Sequence, residues 1–239
     1  TLHWNSGSLD DKPKSFPSVP WAIAIAKDKV ATRGEWTWEY GHNRDMIQEA
    51  EEIRDYLFRS IFGSFANAKK SDSKKFASYS LKHVSYVLGK RESRRLLGDY
   101  IMTAMDCWEN PRKPDNVGNS NNPFDVHKPG KKHDFNIYVD EKYGGLSRRK
   151  NADIPFRSLY SRNIPNLLMA GRCISVTHLA HSSTRVMNTG SQTGIASGAG
   201  AYLCFLHNKS PRDIGKDHLP ELQDIVFNKG DYQGSLDPK

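Results

Sequence analysis

Three glycines four residues apart, Gly190, Gly194 and Gly198, fall in a stretch, 189–206, that otherwise reads as helix. Each costs roughly 1 kcal/mol of helix stability against alanine. Residues at i and i+4 lie one above the other on a helix, so these glycines leave one side bare, and Ala196 and Gly200 extend it. Ile195, Ala199, Leu203 and Leu206 read as the opposite, core side. A bare side allows close approach by a strand, a helix or a flat ligand. The run NLLMAG (166–171), predicted as a strand, lies just upstream. Free N–H groups and the positive end of the dipole at the helix start favour an oxygen-rich or anionic ligand. Strand, turn and small-residue helix together suit a nucleotide cofactor; helix-on-sheet packing alone would give the same spacing.

Other residues near this stretch carry chemistry. His178, in the turn, reads as a proton donor or substrate contact, or as a loop histidine bonded to backbone. Arg185 reads as a partner for an anionic group or as a structural ion pair, and Arg157 offers the same choice. Trp36, Trp38 and Glu39 read as a substrate wall or as core. Cys173 reads as a small buried side chain.

Composition narrows the classes. Apolar residues make up 37% of 239, and mean hydropathy is −0.69, polar for a self-sufficient chain of this size. Part of its apolar partner surface is therefore expected outside this sequence. The net charge of +8 comes in short clusters such as KKSDSKK (69–75) and GKRESRR (89–95). Without interleaved aromatics these predict solvated loops and no nucleic-acid partner. Three scattered cysteines with no CxxC give no disulfide framework, and no metal site is predicted. No apolar run is long enough for a membrane span, so no membrane partner is expected. Localisation is unknown.

The remaining pattern sets out the elements. Residues 1–20 read as an extended arm, and 21–31 and 34–41 as strands, the latter with an aromatic face. A helix is predicted from Asn43, its N-cap, to Gly63, with Met46, Ile47, Ala50, Ile53, Leu57, Phe58 and Ile61 on one face. Residues 83–89 and 95–103 read as two strands joined by a basic turn, and 109–134 as one long loop. Strands at 135–140 and 154–160 follow, and a short tail helix lies near 217–227.

The stretch IPFRSLYSRNIPNLLMAGRCISVTHLAHSSTRVMNTGSQTGIASGAG closely resembles the carboxyl-terminal part of the FAD-dependent oxidoreductase family. GEWTWEYGHNRDMIQEAEEIRDYLFRSIFGSF resembles the family's tryptophan–glutamate segment and EEIRD helix. GKRESRRLLGDYIMTAMD resembles its RESRR–GDY hairpin. The motifs stand in family order and cover about half the chain. The resemblance implies a glutathione-reductase-like flavoprotein fold, mixed α+β and α/β. Residues 1–134 would belong to an inserted substrate domain and 135–239 would return to the FAD domain, ending in a tail. It implies FAD as cofactor, hydride transfer to or from a small-molecule substrate, carbohydrate-like if the tryptophans form its wall, and catalytic roles for His178 and Arg185. Gly171 and Arg172 would face the ribitol chain, and Asn188, Thr189, Gly190, Thr193 and Gly194 would border the flavin pyrimidine edge.

A FAD domain of this kind opens with a strand and GxGxxG. The nearest candidate, GAGAYL (198–203), has leucine in the third place and lies inside the predicted helix. The chain is therefore expected to be a carboxyl-terminal portion that needs an amino-terminal FAD-binding segment as its partner, and alone not to retain FAD and to be inactive. The competing readings are a non-catalytic basic binding module and a scaffold that has lost its cofactor.

Overall fold

The computed structural model describes residues 1–34, 38–42, 44–130, 133–139 and 152–228. Trp36 and the predicted cap Asn43 lie outside the described residues. The architecture is α+β: helices with small antiparallel sheets. The chain divides into two compact units, Thr1–Ser93 with His127–Val139, and Arg94–Val126 with Asp140–Lys239.

In the first unit, β1 (Trp4–Gly7) lies between β2 (Arg33–Gly34) and β3 (Ser80–Val84), both antiparallel to it. Helix α1 (Ala50–Ser71) places Ile53, Leu57, Ile61 and Phe65, spaced four apart, in a core with Leu2, Trp4 and Trp38. Its early acids, Glu51 and Glu52, and late bases, Lys69 and Lys70, match the helix dipole.

The helix starts later than the pattern predicts. Asp45 Oδ1 accepts the N–H groups of Ile47 and Gln48, which holds Met46 and Ile47 in a separate turn. It also runs past Gly63. A Cβ there would come 1.9 Å from the Ile23 carbonyl oxygen, so this glycine serves close packing and does not end the helix. Residues 21–31 form no strand but lie along α1, with Ile23 N–H donating to the Arg59 carbonyl. The helix end is tied down by Lys69, whose ammonium donates to the carbonyls of Lys14, Phe76, Ala77 and Tyr79 at 2.7–3.1 Å. The long loop predicted over 109–134 is broken by β4 (Asn116–Ser120) and β5 (His127–Gly130), and β5 pairs antiparallel with β6 (His133–Val139).

In the second unit, α2 (Ala104–Glu109) starts at a reciprocal cap between Thr103 and Asp106, and β4 pairs antiparallel with β7 (Ala152–Pro155). The hairpin predicted over 83–103 does not form. Only His83 and Val84 of its first half belong to β3, in one unit, and its second half bonds elsewhere in the other. Tyr100 N–H donates to the Arg157 carbonyl, and Met102 N–H to that of Ser175. Residues 154–160 are a strand only to Pro155, then a 3-10 turn, Phe156–Ser158. The predicted strand 166–171 is reduced to one bridge, Tyr160↔Leu168, followed by a second 3-10 turn, Gly171–Cys173. The chain then forms α3 (His178–Thr184), α4 (Met187–His207), α5 (Pro211–Asp217) and α6 (Leu219–Asn228).

Helix α4 spans the predicted 189–206, but only part of its predicted core side is buried. Ile195 and Leu206, expected in the core, are 58% and 53% exposed. The buried side is Thr189, Thr193, Ala196, Ala199, Gly200 and Leu203. Small residues bring the backbone close to Phe156: a Cβ at Gly200 would lie 2.8 Å from its ring.

Candidate functional site

The site lies in the second unit, where α4 begins beside the 171–173 turn. Gly171 has φ +65°, a left-handed conformation that strains other residues. Its N–H donates to Thr193 Oγ1 at 2.9 Å, and the Thr193 hydroxyl lies within bonding distance of the Thr189 and Gly190 carbonyls. Ser197 Oγ donates to the Met169 carbonyl at 2.9 Å. Two side-chain hydrogen bonds, at Thr193 and Ser197, therefore fix α4 against Gly171 and Met169. A Cβ on Gly190 would sit 3.7 Å from the Gly171 Cα, whereas one on Gly171, Gly194 or Gly198 would meet nothing within 4 Å. The result is an open strip of bare main chain at Gly171 and along the first half of a 21-residue helix.

The predicted site residues fall as follows. Gly190 faces the turn, and Gly194 and Gly198 are exposed. Asn188 is exposed, and its Oδ1 accepts the Thr189 N–H at 2.8 Å. The side chains of Thr189 and Thr193 are buried and belong to the scaffold. Arg172 is exposed beside Gly171, and Cys173, expected to be buried, is exposed as well, because the 3-10 turn carries both outward.

His178 opens α3 and is exposed, but its ring is partly desolvated, which lowers its pKa; the positive charges of Arg95 and Arg185 lower it further. His181, which the pattern did not single out, is 1% exposed. Desolvation, then the charges of Arg95, Arg185, His178 and Arg172, push its pKa down to about 4. Both imidazoles are thus biased toward neutrality within a positive field. That field is assembled from distant parts of the chain, so no local spacing could have revealed it.

Arg185 Nη2 donates to the Asp125 carbonyl and carboxylate, both at 2.8 Å, and the Arg185 side chain is 10% exposed. Arg157 forms a two-pronged pair with Asp115, at 2.8 and 3.0 Å. In the first unit, Trp38 is core, and Glu39 is buried with Arg91 3.3 Å away.

This part of the second unit combines bare main chain at Gly171, Gly194 and Gly198 with two histidines whose pKa values are lowered. The chain belongs to the FAD dependent oxidoreductase family, whose model matches residues 17–226. No curated protein and no solved structure matches it significantly. FAD is therefore its cofactor, and a flat ring edge would meet no side chain at Gly171 or Gly194, where an added Cβ would stand in open space. No helix among the described residues is long and apolar enough to cross a membrane.

Proposed function

We propose that this chain holds the flavin-ring end of the oxidoreductase site and that the substrate reacts beside His178. In this reading the second unit is the return to the FAD domain, and the first unit is part of the substrate domain. FAD, when bound, accepts or donates a hydride at its ring. Gly171, Arg172, Asn188, Gly190 and Gly194 supply a surface that admits the ring edge, with Thr189 and Thr193 holding it in shape from below. The helix dipole and the charges of Arg95, Arg172 and Arg185 favour negative charge at that edge. His178, whose pKa partial desolvation and then the charges of Arg95 and Arg185 lower, takes a proton from a small-molecule substrate bearing a hydroxyl or similar group.

The observation that carries the reading is the open space at Gly171 and Gly194 on a helix start otherwise tightly fixed. Gly194→Leu tests it, because the added side chain meets no protein atom nearby. In the FAD-loaded enzyme it is expected to abolish flavin-fluorescence quenching while the melting temperature of the flavin-free chain does not fall, and rises if helix propensity acts. Normal FAD affinity in Gly194→Leu would overturn it. His178→Gln is expected to lower turnover roughly 100-fold or more without weakening FAD binding.

A further inference from the structure

We propose that His207, His218 and Glu221 form a binding site for a zinc-class divalent transition-metal ion. His207 is the last residue of α4, His218 follows the end of α5, and Glu221 lies in the first turn of α6. Two chain reversals bring them together. The first is set by the reciprocal cap between Ser210 and Asp213 that starts α5, the second by His218 N–H donating to the Ile214 carbonyl at 3.0 Å.

His207 Nε2 lies 2.8 Å and His218 Nδ1 3.5 Å from the same carboxylate oxygen, Glu221 Oε2. The ligand atoms of all three residues lie within 4.8 Å of one another. Tetrahedral zinc with bonds of about 2.0–2.1 Å holds its ligand atoms about 3.3 Å apart. The two observed separations bracket that value, and the third, between the imidazole nitrogens, is within 4.8 Å. The imidazole rings stack without an ion, with centroids 3.8 Å apart and planes 18° apart, so at least one ring must turn about its Cβ–Cγ bond for the two in-plane lone pairs to converge on one ion.

Two imidazoles and one carboxylate suit zinc and its neighbours better than calcium or magnesium, which prefer all-oxygen shells. The three side chains are 25–43% exposed, which gives an ion a path in and leaves a fourth position for water. All three ligands sit at helix ends, so the ion would act as a clasp joining α4, α5 and α6. The site does not depend on the flavin reading.

The test uses the full chain, titrated with Zn²⁺ by calorimetry and with Co²⁺ by visible absorption. One ion per chain is expected, with a raised melting temperature and the cobalt bands of a four- or five-coordinate site. Glu221→Gln, nearly isosteric, should weaken binding by at least about tenfold, the lower bound even for an outer-sphere partner. His207→Gln with His218→Gln should abolish it. Unchanged binding in that double variant would overturn the proposal and move the ion elsewhere, as to His3 and His83, whose rings lie 5.8 Å apart. If a variant unfolds, the proton NMR spectrum of the Co²⁺-loaded native chain decides: two strongly shifted imidazole N–H resonances support the site, and none refutes it.

Discussion

The Gly171 N–H donates to Thr193 Oγ1 at 2.9 Å, and this one bond joins a left-handed turn to the second turn of α4 across 22 residues of sequence. Thr193→Val keeps the shape and removes the acceptor. The loss is expected to destabilise the protein by about 1–3 kcal/mol, the range for orphaning a part-buried donor, and to weaken FAD binding. Thr193→Ser should restore most of both. Thermal unfolding and FAD titration of the two variants check this; a loss in Thr193→Ser with none in Thr193→Val would mean that the methyl group, not the hydroxyl, matters.

The glycines of α4 should respond in opposite directions. Gly200→Ala places a methyl group 2.8 Å from the Phe156 ring and should destabilise by about 1–3 kcal/mol through overpacking. Gly198→Ala meets nothing within 4 Å and should stabilise the flavin-free chain by up to about 1 kcal/mol through helix propensity. Chemical denaturation of the two variants reads the contrast directly.

Stability should fall on acidification through His181. Its folded pKa, about 4, is below the usual 6.5, first by desolvation and then by Arg95 and Arg185. Between those values the unfolded chain binds the extra proton, so stability rises with pH there. The contribution is fully present above about pH 6.5 and is lost as pH falls toward 4, on the order of 3 kcal/mol in all. His181→Asn should flatten the stability profile over that window. Arg185→Gln should raise the pKa of both His181 and His178, visible as shifted histidine titrations by NMR, besides releasing Asp125.

Lys69 donates to four carbonyls at 2.7–3.1 Å at the end of α1. Lys69→Met keeps the aliphatic stem and removes every donor. A loss of about 2–3 kcal/mol is expected, in the range for charge-assisted bonds, with amide exchange quickening over 72–79. Unaltered exchange there would show that the ammonium is not what holds this segment.

What the sequence determined by itself are the features that repeat locally. Ile53, Leu57, Ile61 and Phe65 recur at the helical period, and α1 buries them together. The glycines at 190, 194 and 198 mark the bare side of α4, and ordered motifs along the chain identify the FAD-dependent oxidoreductase family that residues 17–226 match. Tertiary structure decided what depends on partners far away in the chain. Residues 95–103 read as half a hairpin, yet their backbone bonds reach Arg157 and Ser175, because neither local strand propensity nor turn residues specify which edge is free. Apolar type placed Ile195 and Leu206 in the core, but the helix rolls so that Ala196, Gly200 and Leu203 meet Phe156 and its neighbours, since only small residues allow that approach. Arg185 and Arg157 looked alike in sequence. Asp125 and Asp115, 60 and 42 residues away, fix their guanidinium groups, while Arg185's charge also helps keep His178 and His181 neutral. Charge acts through space, so its consequences appear only once the chain has folded.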